Sequence, residues 1–264
     1  MTALADALAK ARADNRAALI GYLPVGYPDV PTSIDAMRAL VAGGADVVEV
    51  GVPYSDPVMD GPTIQAAAEP AVRSGVGLDD ALRAVRAVHE AGAAAVIMSY
   101  WNPIERFGVE RFAAGLAAAC GSGAITPDLI PDEAASWLAA ADAHRLDRIF
   151  LVAPSSSDAR IAMTARACRG FLYATAVLGV TGARAEVGEA AARLVERVRA
   201  LAPAIPVCVG VGVSTGAQAA QVAAFADGVI VGSALVRCLL DSPNHRGAQA
   251  VRALTAELAA GVRR

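Results

Sequence analysis

The chain has 264 residues, 55% of them apolar, and its 23 basic and 26 acidic side chains leave a formal charge of −3. That length accommodates one large α/β domain or two ordinary ones. The near balance of charge, with no basic block, argues against a nucleic-acid or membrane partner recognised by charge and leaves small molecules and proteins.

The opening stretch, MTALADALAKARADNR, sets Leu4 and Leu8 one turn apart and predicts a helix over about 2–14. It lacks the apolar core and cleavage site of a secretory signal, so a cytoplasmic location is expected. From about residue 18, short β-branched or apolar runs alternate with longer Ala-rich stretches almost to the end. The strand candidates are ALIGYLP (18–24), DVVEVGV (46–52), AAVIMSY (94–100), GAITPD (123–128), DRIFLVA (147–153), FLYATA (171–176), IPVCVGV (205–211) and DGVIVG (227–232). Helices are predicted at 30–42, 109–120, 132–145, 157–168, 187–201 and 214–225, and the 62–91 segment holds two, split near Ser74-Gly75. The uncharged run 200–226 is broken by Pro203, Pro206 and several glycines, which suits a strand, a Gly loop and a helix better than a membrane span.

Eight strands alternating with helices predict an α/β fold, a (β/α)8 TIM barrel with an extra N-terminal helix, spanning 1–264 as a single domain. An open doubly wound sheet is the other architecture this pattern allows. It would usually carry a GxGxxG turn after the first strand, and none is present there. In a barrel, chemistry belongs to the loops after the strands.

Glu49 interrupts the second strand. By the period of two it shares a side with Gly51, pointing into the barrel, while Val48, Val50 and Val52 point at the helices. It is either a buried carboxylate paired with a cation or a group used in chemistry. No Arg or Lys stands at a strand end except Arg148, at the opposite face. Asp60 ends the loop PYSDPVMDGPT, and both it and Asp56 also read as turn or helix-start residues. Together, a sheltered and an ionised carboxylate suit acid/base work. Three Gly-centred turns, LGVTGA (178–183), VGVGVST (209–215) and VGSAL (231–235), cluster late in the chain, where bare N–H groups at helix starts bind phosphate.

Lys10 is the sole lysine and precedes the first strand, which argues against a Schiff base or a covalently held pyridoxal group. His89, His144 and His245 stand far apart, so no metal site is expected. Cys120, Cys168, Cys208 and Cys238 form no CxxC pair and read as buried free thiols. Cofactor-free acid/base chemistry by carboxylates on a phosphorylated substrate remains.

The stretches VEVGVPYSDPVMDGPTIQ, SYWNP, TPDLIPDE, GVTGAR, VGVGVS and DGVIVGSA, in this order over about 15–240, resemble the α-subunit family of tryptophan synthase. YWNPIERFGV and LVAPSSSDAR resemble its actinobacterial branch. The resemblance implies reversible cleavage of indole-3-glycerol phosphate to indole and glyceraldehyde 3-phosphate, without a cofactor. Glu49 would be the general acid/base, and Asp60 would hydrogen-bond the indole N–H. Gly182, Gly210, Gly212, Gly232 and Ser233 would hold the phosphate. Tyr22, Tyr100 and Tyr173 would line the indole pocket, although each also reads as a core aromatic, and Thr181 would sit in a lid at 178–190. Asp56 and Asp128 would face a pyridoxal-phosphate-dependent β subunit in an α2β2 heterotetramer. A stand-alone lyase and a non-catalytic regulatory subunit are the alternatives. Gly21, Pro24 and Tyr27 stand where the family is expected to carry Pro, Thr and Asp, and Ala176 where many members have serine.

Overall fold

The structure is a computed structural model and describes residues 2–175, 184–242 and 246–263. Its strands are β1 (Ala18–Pro24), β2 (Val47–Gly51), β3 (Ala94–Met98), β4 (Gly123–Ile125), β5 (Asp147–Ile149), β6 (Leu151–Val152), β7 (Leu172–Thr175), β8 (Val207–Gly210) and β9 (Gly228–Val231). The helices are α1 (Ala3–Ala13), α2 (Val30–Ala42), α3 (Pro62–Arg73), α4 (Leu78–Glu90), α5 (Trp101–Phe107), α6 (Val109–Ala118), α7 (Ala135–Ala143), α8 (Asp158–Ala167), α9 (Arg184–Leu201), α10 (Gly216–Ala223), α11 (Ser233–Asp241) and α12 (Arg246–Val262).

All nine strands run parallel in one sheet of order β5-β4-β3-β2-β1-β9-β8-β7-β6. Its two ends are one stretch of chain: β5 pairs with β4, β6 pairs with β7, and only Phe150 lies between them. The sheet thus curls into a (β/α)8 barrel. The run 147–153, expected as one strand, is split at Phe150, whose carbonyl accepts from Tyr173 N at 3.1 Å.

Burial on both faces explains the near-continuous apolar strands. Val48, Val50, Ala95, Ile97, Val209 and Val229 pack outward in the core shared with the helices. Ala18, Ile20, Val47, Val96, Ile125, Phe171 and Ile230 point inward and fill the barrel. The amphipathic α1 supplies Leu4, Leu8 and Ala11 to that inner core, so it closes the floor of the barrel. Each buried leucine there contributes about 2 kcal/mol. Thr2 caps α1 by accepting from Ala5 N, and its hydroxyl donates to Asp147 Oδ2 at 2.5 Å, fastening the helix to the start of β5.

Side-chain caps explain several helix starts. Asp29, Ser157 and Thr215 accept from the backbone N–H three residues on in α2, α8 and α10. Three elements differ from those expected. SYWNP opens the short helix α5, a 3-10 turn at Pro131–Glu133 precedes α7, and α11 and α12 end the described chain. The thiols are not uniformly buried either: Cys208 is, but Cys120 is exposed, and Cys168 and Cys238 are partly so. Cys120 has φ 62°, which turns it outward just after α6.

Candidate active site

Glu49 sits in the middle of β2, in register with Tyr22 of β1 and Val96 of β3. Val96 belongs to the inner core, so the alternation that sends Val48 and Val50 to the helices sends Glu49 into the barrel. The residue is 1% exposed, and its Oε1 has no hydrogen-bond partner among the described residues. Arg148, the cation nearest a strand end in sequence, is spent elsewhere, pairing with Asp142 and donating to the Ala167 carbonyl. Desolvation without compensation raises the Glu49 carboxyl from its ordinary 4.5 to about 8. Near neutral pH it is a protonated acid that can give up its proton at modest cost.

The walls around it are phenolic. Tyr22 is buried and Tyr173 half-buried, and both are pushed well above the usual tyrosine range, first by desolvation and then by neighbouring charge, Glu49 included. Two inward glycines make room for them. A Cβ on Gly51 would lie 2.4 Å from the Tyr22 hydroxyl, and one on Gly210 would lie 2.5 Å from the Tyr173 hydroxyl. A Cβ on Gly232 would lie 3.5 Å from the Tyr22 ring, an ordinary contact.

Asp60 closes the β2–α3 loop. As a helix-start residue it would cap α3, but the N-cap is Gly61 and no side chain caps that helix. The Asp60 carboxylate instead accepts from the Tyr100 hydroxyl at 3.2 Å, and that hydroxyl accepts from Met59 N at 2.9 Å. Gln65 anchors the Asp60 carbonyl through Nε2 at 2.7 Å. Burial raises the Asp60 carboxyl and the Tyr100 bond pulls it back, a compensation that Glu49 lacks. The charges of Asp60 and Glu49 both push the Tyr22 phenol up, so both acids lie within electrostatic reach of it.

Gly210 ends β8, and Gly212 follows in a turn with φ 72°, a conformation that favours glycine. Gly232 is the N-cap of α11 and offers no side chain, so the first N–H groups of α11, beginning at Ser233, have no side-chain cap. Thr181, Gly182 and Ala176, and residues 178–183 of the expected lid, lie outside the described residues, whereas 184–190 belong to α9. Asp56 is exposed and accepts from Ser55 at 2.5 Å. Asp128, also exposed, accepts from Trp101 N at 2.9 Å and so caps α5 from a neighbouring loop.

Tyr54 and Gln65 were missed as pocket residues. Tyr54 stacks on Tyr100 with ring centroids 5.2 Å apart and accepts from Asn102 Nδ2 at 3.1 Å. An aromatic in the same loop as a candidate acid was the available signal for Tyr54. Nothing in the sequence marked Gln65, which acts through one turn of α3.

Over residues 8–263 the chain matches the family described as "Tryptophan synthase alpha chain". The tryptophan synthase alpha chain of Thermobifida fusca is 59% identical over 266 residues, covering 100% of this chain and 98% of that one. The one from Mycobacterium tuberculosis is 63% identical over 252 residues, covering 96% and 91%. A crystal structure of M. tuberculosis tryptophan synthase, ligand-free, superposes with a TM-score of 0.92 at 58% identity, covering both chains in full. The tryptophan synthase subunit alpha of Legionella pneumophila reaches 0.89 at 32% identity, covering 99% and 98%.

Proposed function

The chain belongs to the tryptophan synthase alpha chain family, and from that premise we propose a division of labour in which Glu49 carries protons and Asp60 holds charge on the substrate's ring. The protein is a lyase that cleaves indole-3-glycerol phosphate to indole and glyceraldehyde 3-phosphate. The reaction needs no cofactor, and pyridoxal phosphate belongs to the β subunit that is its partner. Membership of the family favours neither a stand-alone lyase nor a non-catalytic subunit.

Breaking the C–C bond requires a proton on indole C3, loss of the proton on the adjacent side-chain hydroxyl, and relief of the positive charge that develops toward the ring nitrogen. Glu49, protonated near neutrality, gives its proton to C3. The carboxylate left behind takes the hydroxyl proton as the bond breaks and the aldehyde forms, so the acid is regenerated. Asp60 accepts from the ring N–H, and its charge opposes the charge formed there. Tyr22, Tyr100 and Tyr173 line the ring's pocket. The backbone N–H groups of Gly210, Gly212, Gly232 and Ser233 hold the phosphate, with Gly182 and Thr181 assigned to the same end. The uncapped start of α11 supports that placement.

We take the assembly to be an α2β2 heterotetramer in the cytoplasm, with the chain acting as one barrel domain. Val58, Met59 and Ile130 are 79%, 46% and 43% exposed in the loops that carry Asp56 and Asp128, which supports this face as the β-subunit contact. Among the described residues no helix is long and apolar enough to cross a membrane.

The observation that carries the mechanism is the buried Glu49 carboxyl, with an orphaned oxygen and no paired cation among the described residues. Its test is Glu49→Gln, assayed for indole release with and without the β subunit. The proposal requires loss of cleavage by orders of magnitude in both conditions, and retained turnover would remove Glu49 from the chemistry.

A further inference from the structure

At the end of the barrel away from the mouth, beside α1, lies a cavity of about 780 Å3. That is within the ~300–1,000 Å3 of small-molecule sites. It exists because α1 packs against β1 and β3, leaving the floor under β5, β7, β8 and β9 covered only in part.

Its lining is biased in charge, four arginines against Asp147 and Asp227. Two of the arginines are committed. Arg16 clasps Asp46 at 2.7 and 2.8 Å, and Arg169 donates to Asp142 at 2.9 Å and to the Leu146 carbonyl. The other two have donors to spare. Arg12 reaches a single oxygen of Asp227 at 3.4 Å with its side chain 67% exposed, and Arg145 makes no ion pair among the described residues. Asp147 is held by Thr2 and Arg169, while Asp227 takes Val207 N and Arg199 on Oδ2 and keeps Arg12 on Oδ1. Between the charges the surface is apolar and low, with Leu8 and Pro206 flanked by alanines. Small walls of this kind leave room for a ring.

We propose that this groove is a second ligand site, distinct from the barrel mouth, that takes a small aromatic carboxylate. The spare donors of the Arg12 and Arg145 guanidiniums take the carboxylate, and the ring lies against Leu8 and Pro206. Neither arginine belongs to the cleavage machinery.

The test is titration of the full chain with benzoate, followed by amide chemical shifts, with benzyl alcohol and inorganic phosphate as probes of the two halves. Saturable benzoate shifts at Ala5, Ala9, Ala17 and Gly170 are expected, with weaker responses to both other probes. Arg12→Gln/Arg145→Gln should weaken benzoate at least tenfold while indole release stays unchanged, which also reports an intact fold. Shifts confined to residues around Glu49, or equal binding by the double variant, would overturn the site. Phosphate shifting the same amides as strongly as benzoate would overturn the aromatic specificity.

Discussion

The hydroxyl of Tyr100 donates to the Asp60 carboxylate at 3.2 Å while accepting from Met59 N at 2.9 Å, so one phenol both orients the acid and tethers the loop that carries it. Burial holds the phenol up to about 12, which keeps it a neutral donor. The bond acts on Asp60 in one direction, lowering a carboxyl that burial raises.

Tyr100→Phe should therefore let the Asp60 carboxyl rise further. The acidic limb of the kcat/KM profile for indole release is expected to move to higher pH, with a loss of about tenfold near neutrality, the size of a hydrogen bond to a charged group. An unmoved limb would mean that Asp60 gains nothing from the phenol.

Glu49 leaves a signature in stability as well. The unfolded chain releases this proton near 4.5, whereas the folded chain keeps it to about 8. The neutral carboxyl's contribution is complete below the lower value and is lost at about 1.4 kcal/mol per pH unit between the two. Glu49→Gln does not titrate. Its unfolding free energy in urea, relative to the unsubstituted chain, should climb by a few kcal/mol from pH 5 to pH 8. A constant difference over that range would show that Glu49 is ionised in the folded protein.

Asp60→Asn keeps an acceptor for the ring N–H but removes the charge. Turnover should fall about 10²–10³-fold, as for loss of one preorganised electrostatic group. The melting temperature should hardly move, because Gly61 and not Asp60 caps α3. A large drop in melting temperature with normal turnover would return Asp60 to the role of a turn residue.

The barrel was legible because it is written in local patterns. Buried parallel strands read as β-branched runs, and the predicted 30–42 helix coincides with α2, whose start Asp29 and Pro31 mark. Glu49 was legible for the same reason, since alternation alone gives its direction. What was hidden depends on contacts between distant segments. Phe150 splits a strand only because its two sides pair with different neighbours, and Asp128 caps a helix 27 residues earlier. Asp60 owes its position to Tyr100, 40 residues on, so the loop alone made it look like a turn residue. Gly51 belongs to this second group: on the strand it is an inward glycine like any other, and its reason is a ring on β1.

That reason can be tested as a pair. A Cβ at Gly51 would meet the Tyr22 hydroxyl at 2.4 Å and a ring carbon at 2.5 Å, inside a barrel whose surrounding side chains are buried. Gly51→Ala should cost about 1–3 kcal/mol by overpacking and should lower indole release by displacing the Tyr22 ring beside Glu49. Shortening the ring to Tyr22→Leu removes the clash, so Gly51→Ala/Tyr22→Leu should be more stable in urea than the sum of the two single changes predicts. The contact spans neighbouring strands, and a coupling energy near zero would mean that Tyr22 avoids the new methyl by another route. In that case Gly51 would owe its place to the approach of the substrate and not to the tyrosine beside it.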